Sequence, residues 1–350
     1  MIGISKVQTA LACITLFLVA VTSNALQAEG QQALSFQSGG SLPYTLDIEP
    51  MLDIEIEPCS ACDCCCDYGD CCCDCGSACC NKKLLGLFVH SDPAFHKFIS
   101  PMTNPVFFED PRTLTEARVI YLRHEIPAAA GDGTVNLFAV QFRAALTDRL
   151  SIIATKDGYK TSTNPLIDDG WSDVAAGLKY NLYADPQTQR LLSAGFTYEM
   201  PVGTPRALQG NGDGEFLMFL SGGMQLGDRS HWISASGFRL PSDPSRESSM
   251  WYWSNHLDCE FMNRWYALTE LNWYNWIGAG QQTALPGVEG GDLYNFGSVG
   301  VAGNDIVTNA VGVKYKHSEH SELGVAYEYP LTDRRDVLEN RLTVDWIIRY

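Results

Sequence analysis

The stretch RLTVDWIIRY, residues 341–350, ends the chain with a strict alternation of side-chain character. The intervening positions carry two arginines, an aspartate and a threonine, with Ile347 as the only aliphatic member. Because successive side chains of a β-strand point to opposite faces, this pattern predicts a strand between an apolar and a polar environment. The apolar face ends in an aromatic residue and consists of Leu342, Val344, Trp346, Ile348 and Tyr350.

Similar alternating segments recur upstream, each about ten residues long and separated by turn residues. Segments of this length are what a transmembrane β-barrel requires. From residue 115 onward the sequence contains twelve of them, at 115–124, 134–146, 149–158, 172–183, 189–200, 215–226, 231–240, 250–260, 263–275, 305–316, 321–329 and 339–350.

The connections between these segments alternate between short and long. Even-numbered connections are tight, as at residues 146–149 and 227–230, whereas odd-numbered ones are longer, up to residues 276–304. This rhythm follows when one rim of a barrel carries turns and the other carries loops. We therefore predict an all-β fold, a transmembrane antiparallel β-barrel of about twelve strands over residues 115–350, preceded by a cysteine-rich N-terminal extension.

Two stretches resemble a known class of protein. The alternating last strand with its terminal Tyr350 resembles the C-terminal signature of bacterial outer-membrane β-barrels, which their assembly machinery recognises. Residues 104–111, NPVFFEDP, look like a feature of uncharacterised porin-like barrels from planctomycete-type bacteria, grouped with phenol-degradation-pathway outer-membrane proteins. The resemblance implies the outer membrane of a Gram-negative-type bacterium, with outer-membrane lipid and the barrel-assembly machinery as partners.

The N-terminal part divides by composition into four segments. Lys6 and the apolar run 10–21, followed by small residues up to Ala25, are typical of a secretory signal peptide over residues 1–25. Residues 26–58 form an acidic linker whose prolines interrupt any β-ladder. After a cysteine-rich segment at 59–80, residues 81–114 are predicted to be an irregular pre-barrel segment or a plug of the barrel.

Composition and motifs exclude several function classes. The formal net charge of −17 argues against a nucleic-acid partner, because phosphates repel such a chain. The sequence contains no serine nucleophile elbow, zinc-protease helix motif, phosphate-binding loop or dinucleotide fingerprint. We therefore predict that the protein is not an enzyme and has no cofactor, apart from a metal that the cysteine-rich segment could hold.

The alternation also predicts which charged residues face the barrel interior. If apolar positions face lipid, their neighbours face the lumen. Some of these charges must pair across the lumen, because buried charges need partners; whether an open path remains is left undecided. The lumen-facing candidates are Arg143, Asp173, Lys179, Glu199, Glu270, Lys314, Glu328, Asp345 and Arg349.

The segment 59–80 holds eleven cysteines in a nearly mirrored arrangement about Tyr68 and Gly69. Adjacent cysteines are too close to bond comfortably, since their Cα atoms are about 3.8 Å apart. Export to an oxidising compartment favours disulfides across the turn, and the odd number leaves a thiol that could pair with Cys259 or, in a disulfide-linked self-association, with a second molecule. Thiolates among carboxylates would also suit zinc or Cu(I). The disulfide or metal candidates are Cys59, Cys62, Cys64, Cys65, Cys66, Cys71, Cys72, Cys73, Cys75, Cys79 and Cys80.

Three functions are compatible with these patterns. The first is a passive outer-membrane channel or transporter for small solutes. The second is a structural or surface protein, in which the barrel is an anchor and the cysteine-rich segment cross-links or binds metal. The third, a barrel-embedded enzyme, has no supporting motif in the sequence.

The cysteine-rich segment gives the first testable prediction. We expect the unreduced, denatured protein to show few free thiols, because the exported segment enters an oxidising compartment. Thiol titration without reductant, together with metal analysis of the same sample, measures this. Nearly complete free thiols with several equivalents of zinc or copper would replace the disulfide interpretation by a metal-binding one.

Overall fold

The structure, a computed structural model, describes residues 83–350. The predicted signal peptide, acidic linker and cysteine-rich segment lie outside the described residues. Within residues 83–350, no helix is long and apolar enough to cross a membrane. The helical elements are three single 3₁₀ turns, Pro93–Phe95, Ala128–Ala130 and Pro205–Ala207.

The described chain folds into one antiparallel sheet that closes into a barrel of twelve strands, which confirms the predicted fold class. Two of the twelve are interrupted, β3 continuing as β4 and β5 continuing as β6. The segments are β1 (Glu116–Glu125), β2 (Thr134–Ala145), β3 (Leu150–Lys156), β4 (Tyr159–Ser162), β5 (Gly170–Trp171), β6 (Val174–Asp185), β7 (Arg190–Met200), β8 (Glu215–Leu226), β9 (Ser230–Pro241), β10 (Ser249–Met262), β11 (Trp265–Gly278), β12 (Asp305–Ser318), β13 (Ser321–Pro330) and β14 (Asn340–Arg349).

Closure joins the first strand to the last. Strand β1 pairs with β2 on one side and with β14 on the other, in a register that runs from Glu116 opposite Arg349 to Glu125 opposite Asn340. Each of the remaining strands of the twelve pairs with the strand before it and the strand after it in the chain. No long row of backbone donors and acceptors is left at an edge, which is the condition for a sheet to stand in lipid.

The two faces of the wall differ as the alternation predicts. On β14, Trp346 and Ile348 are exposed on the outer surface, whereas Arg341, Asp345 and Arg349 are buried inside. Large apolar side chains also cover the outside of the other strands, including Phe138, Phe142, Trp171, Tyr180, Phe196, Phe238, Trp253 and Tyr327. Such an exterior would be unstable in water over this extent and suits the hydrocarbon of a bilayer.

Short turns and long loops occupy opposite rims, which we call the turn end and the loop end. The turn end carries the connections 146–149, 186–189, 227–229, 263–264 and 319–320, and the loop end carries 126–133, 163–169, 201–214, 242–248, 279–304 and 331–339. One detail differs from the sequence prediction. The loop expected at 158–171 contains β4 and β5, because the wall resumes after a break at Asp157 and Gly158.

The two rims give a topology prediction. Tyr350 lies at the turn end, and barrels that carry the C-terminal signature end in the periplasm, so the turn end should be periplasmic. An epitope tag inserted between Thr283 and Ala284, both exposed at the loop end, should be labelled on intact cells.

The matched control is a tag after Asp228, which is exposed at the turn end and should be labelled only after permeabilisation. Labelling of the Asp228 tag alone on intact cells would reverse the assignment.

Candidate functional site: a plugged lumen

A segment that precedes β1 fills the lumen from the turn end. It enters where the Ser91 amide donates to the Tyr350 carbonyl at 2.8 Å, and it leaves where the Asp92 amide donates to the Thr113 carbonyl at 3.0 Å. We call residues 92–113 the plug. Most of its side chains are buried inside the barrel, among them Phe95, Phe98, Ile99, Met102, Val106, Phe107, Phe108, Glu109, Asp110 and Arg112.

The plug reverses direction at Asn104, which has a φ of +50°. Asparagine tolerates this left-handed conformation better than most residues. The Asn104 carbonyl accepts the amides of Phe107 at 3.2 Å and Phe108 at 2.9 Å, so the turn is closed by its own backbone. Wall side chains hold it in place: the Tyr252 hydroxyl donates to the Phe107 carbonyl at 2.8 Å, and Gln141 donates to the Pro105 carbonyl at 2.8 Å.

Glu109 is the main ionic attachment of the returning limb. Its carboxylate accepts hydrogen bonds from Arg143 at 2.6 Å and from Lys179 at 2.7 Å, and all three side chains are buried. Arg143 also pairs with Glu116 of β1 at 3.2 Å. Glu109 therefore joins the plug to two wall strands, β2 and β6, at once.

The two limbs of the plug are tied to each other by Arg112. Its guanidinium pairs with Asp110 at 2.7 Å, donates to the Phe98 carbonyl at 2.8 Å and donates to the Ser100 hydroxyl at 3.0 Å. Because Arg112 lies on the returning limb and Phe98 and Ser100 on the entering one, this side chain holds the plug as a hairpin-like unit.

The last strand contacts the plug through Arg349. This side chain donates to the Ser100 hydroxyl at 2.8 Å and pairs with Glu116 at 2.7 Å and with Glu322. Asp345 pairs within the wall, with Arg118 at 2.9 Å. Arg349 and its two carboxylate partners lie on β14, β1 and β13, so this contact lies beside the junction of β1 and β14, where the barrel closes.

Further cations bind the entering limb by its backbone. Lys314 pairs with Asp345 at 3.0 Å and donates to the Ser100 carbonyl at 2.9 Å. Arg118 donates to the Met102 carbonyl at 3.0 Å. The carbonyl groups of the plug therefore accept hydrogen bonds from wall cations that are buried in the lumen.

Glu270 holds the opposite side of the entering limb. It accepts the backbone amides of Met102 at 2.7 Å and Thr103 at 2.6 Å, and the Thr103 hydroxyl as well. Behind it, His256 bridges Glu270 at 2.7 Å and Asp258 at 3.1 Å. Asp258 in turn contacts His231 at 2.8 Å. The result is a chain of buried polar side chains from the plug into the wall.

A second insertion closes the loop end. Residues 279–304, here called the mouth loop, fold over the lumen and are held by contacts that include the following three. Asp292 pairs with Arg341 at 2.8 Å, Asn295 donates to Glu215 at 2.7 Å, and Arg239 donates to the Tyr294 carbonyl at 3.2 Å.

A group of mixed charge lies under the mouth loop. Lys156 pairs with Glu199 at 2.5 Å, and Arg239 lies 3.6 Å from Glu215. Glu247 of the neighbouring loop is buried, and among residues 83–350 one of its oxygens has no hydrogen-bond donor. Burial, reinforced by the nearby Glu215, raises the pKa of Glu247 to about 8. Its carboxyl group is therefore mainly protonated at neutral pH.

The structure places the nine predicted lumen residues in four positions. Arg143, Lys179, Glu270, Lys314, Asp345 and Arg349 surround the plug. Glu328 lies higher in the lumen and accepts from Thr308 at 2.6 Å and Asn272 at 3.1 Å, and Glu199 belongs to the mouth. Asp173 organises a loop: it accepts the amides of Gly203 at 2.8 Å and Gly210 at 2.9 Å.

Sequence reasoning did not identify the plug residues that these wall charges bind. Glu109, Asp110 and Arg112 lie in a stretch without periodicity, so no pattern predicted that they face the wall. Glu116 and Arg118 continue the alternation of β1 and could have been found from it. The eleven cysteines lie outside the described residues. Within residues 83–350 no group of three or more His, Cys, Asp or Glu side chains is arranged to hold a metal ion.

Comparison with known proteins finds neighbours only among solved structures. No family model and no curated protein matches the chain. An outer membrane channel from Pseudomonas putida F1 aligns with a TM-score of 0.51 and 14% identity over 72% of this chain and 100% of that one. The NanC porin, with a TM-score of 0.42 and 8% identity, matches 67% of this chain and 98% of its own.

The KdgM porin aligns at a TM-score of 0.41 and 12% identity over 67% of this chain and 99% of its own. The 14% identity with the Pseudomonas putida channel shows a likeness of fold alone. In this chain, a closed antiparallel barrel of twelve strands surrounds a plugged lumen. The chain therefore has the fold of a bacterial outer-membrane channel.

Proposed function

We propose that the protein is a passive channel for small solutes in the outer membrane of a Gram-negative-type bacterium, held closed at rest by the plug and the mouth loop. The observation that carries this proposal is how the lumen is filled. An eight-strand barrel is filled by side chains of its own wall, whereas a wider one leaves internal space. Here two inserted segments occupy that space, and either could move without breaking the wall.

The chemistry of the plug contacts supports a releasable closure. Most wall groups that hold it are charged or polar, including Arg143, Lys179, Glu270 and Arg349. Water can hydrate these groups when the plug leaves, so the emptied lumen would be a polar, water-filled path. The aromatic contacts of Phe95, Phe98 and Phe108 with Leu191 and Ile233 oppose release, which makes the closed state the resting one.

The two rival functions make different use of the same features. A structural or surface anchor needs the apolar exterior but gains nothing from a polar lumen filled by removable segments. A barrel-embedded enzyme needs a reactive group at an accessible surface, and the charged side chains that surround the plug are buried and engaged in holding it. One solved protein with the same fold is an outer membrane channel, and this likeness supports the proposal of a channel for this chain.

Weakening the plug should open the channel. Glu109→Ala removes the carboxylate that Arg143 and Lys179 share, and leaves two buried cations short of a partner. Single-channel recording in planar bilayers should then show more frequent openings than the wild-type protein. The matched control is Glu339→Ala, which removes the same charge from an exposed pair with Arg335 and should behave like wild type.

Equal currents from both variants and wild type would show that the plug is not the gate. A complete absence of current from all three proteins would instead favour the anchor.

The same pair of variants predicts a difference in stability. Removing one partner of a buried ion pair costs about 3–5 kcal/mol, whereas losing an exposed pair costs about 0–1 kcal/mol. Glu109→Ala should therefore lower the temperature at which the barrel loses its compact electrophoretic form, and Glu339→Ala should not. If the two variants shift this temperature equally, the Glu109 pairs do not stabilise the closed state.

A further inference from the structure

A buried histidine, His124, lies at the loop end of β1, beside the contacts that hold the mouth loop. In the sheet register it stands opposite Arg341 on β14 and Val135 on β2. Both ring nitrogens have partners. Nε2 lies 2.7 Å from the Val337 carbonyl oxygen, and the Arg341 Nε–H donates to Nδ1 at 3.2 Å. His124 therefore contacts the last strand and the loop 331–339 at the same time.

These two partners determine the protonation state of the ring in the closed structure. A carbonyl oxygen can only accept a hydrogen bond, so Nε2 carries a hydrogen and donates it to Val337. A guanidinium can only donate, so Nδ1 must offer a lone pair to Arg341. An imidazolium has a hydrogen on both nitrogens and would leave Arg341 without this acceptor. The closed arrangement therefore requires the neutral form of His124.

The charged groups that face His124 oppose a proton on its ring. The Arg341 guanidinium is in direct contact, and the ammonium group of Lys160 on β4 acts on the ring from farther away. Two carboxylates lie nearby, Asp292 on the mouth loop and Glu328 on β13, and both face Arg341. All four of these charged side chains are buried. A proton on His124 would therefore bring a third cation into a group in which two cations face two carboxylates.

Arg341 is an ionic attachment of the mouth loop. Its two Nη groups bind the two carboxylate oxygens of Asp292 at 3.1 Å and 2.8 Å, in the bidentate geometry that makes such pairs strong. His124 accepts the third side of the same guanidinium, the Nε–H. Protonation of His124 replaces this acceptor by a cation. Repulsion then displaces the guanidinium, and the Asp292 pair that depends on its position is weakened.

The loop 331–339 is a second support of the mouth loop, and His124 is bound to it as well. Arg334 of this loop donates to the Gly287 carbonyl of the mouth loop at 2.6 Å. Val337 of the same loop accepts from Nε2 of His124. The ring donates to Val337 in either protonation state, so it stays in place while its other nitrogen changes from acceptor to donor.

The other buried histidines among residues 83–350 do not respond to acid in this way. Both ring nitrogens of His256 face carboxylates, those of Glu270 and Asp258, so an imidazolium satisfies both contacts. His231 also faces Asp258. At the mouth, Glu247 is mainly protonated already at neutral pH. The contacts of His124 are therefore those that an added proton breaks.

We propose that His124 is the pH sensor of the mouth loop: its protonation in acid separates Arg341 from Asp292 and lets the loop lift from the lumen. The mouth is closed where the ring is neutral, and it opens as the pH falls below about 6.5, the ordinary midpoint of histidine protonation. One proton changes the ratio of open to closed mouths by at most about tenfold per pH unit. This inference rests on the channel function proposed above and adds its regulation.

Proteolysis of the folded full-length protein measures the loop without any current. Glu289 of the mouth loop has no exposed surface. A glutamate-specific protease that is active in acid should therefore spare it at pH about 7.5 and cut after it at pH about 5, across the range in which histidine changes charge. The masses of the fragments identify this cut.

Two substitutions of histidine by glutamine form a matched pair. His124→Gln should resist cleavage at both pH values, because an amide can donate to Val337 and accept from Arg341 without taking up a proton. His320→Gln changes an exposed histidine at the turn end and should be cut in acid like the wild-type protein.

A third variant, Asp292→Asn, removes the ion pair directly and should be cut after Glu289 at both pH values. Heat-dependent mobility reports the folding of each variant, and Asp292→Asn keeps the test informative should the buried His124→Gln fail to fold. Three results would each overturn the sensor: a wild-type protein that resists in acid, equal cleavage of His124→Gln and wild type in acid, or an Asp292→Asn variant that resists at neutral pH.

Currents separate the sensor from the channel. In planar bilayers, Glu109→Ala should open several-fold more often when the loop end is acidified, and the double variant Glu109→Ala/His124→Gln should not. Acid-dependent cleavage that His124→Gln abolishes, together with no current from any variant, supports the sensor and contradicts the channel function.

Discussion

Charge inside a closed wall is the constraint on which the rest of this structure depends. Lipid leaves the backbone no partner outside the sheet, so β1 must pair with β14 and the sheet must close. Closure then turns alternate side chains inward, and in this chain many of them are ionised. Charges in so confined a space require partners, and the wall alone does not supply enough of them. The plug supplies further partners: the Glu109 carboxylate for Arg143 and Lys179, and carbonyl groups for Arg118 and Lys314.

The plug and the mouth loop meet this constraint in different ways. The plug is bound by charges on many strands and by aromatic side chains, so it behaves as part of the lumen wall. The mouth loop is held by the buried pair of Asp292 with Arg341 and by hydrogen bonds to neighbouring loops, including those of Asn295 with Ser248. Its apolar residues Leu293 and Tyr294 cover the upper lumen beside Ile120 and Leu137. The plug therefore fills the lumen from the turn end, and the mouth loop covers it from the loop end.

Much of the fold could be predicted from the sequence, because a barrel wall repeats one simple rule. The alternation of residues 341–350 gave the orientation of every side chain on β14, and the rhythm of turns and loops gave the number of strands. Partners could not be predicted in the same way. Glu109 and Arg112 lie where no period exists, and their roles depend on a fold-back at Asn104. The break in the wall between β3 and β4 was also not predicted, because Asp157 and Gly158 are typical of a turn that ends a strand. In the structure, the Asp157 carboxylate accepts the Val140 amide in place of a ladder bond, and the strand resumes as β4.

Arg349 on β14 binds β1 through Glu116, β13 through Glu322 and the plug through Ser100. One side chain therefore joins the strands at the closing junction to the plug. Glu116 and Arg349 are 233 positions apart in the chain. Contacts of such separation form late in folding, because the intervening chain must first be ordered. The plug adjoins β1, so it is already tethered beside the open sheet when the last strand arrives. Pairing of β14 with β1 therefore closes the barrel and, through the contact of Arg349 with Ser100, fixes the plug inside it.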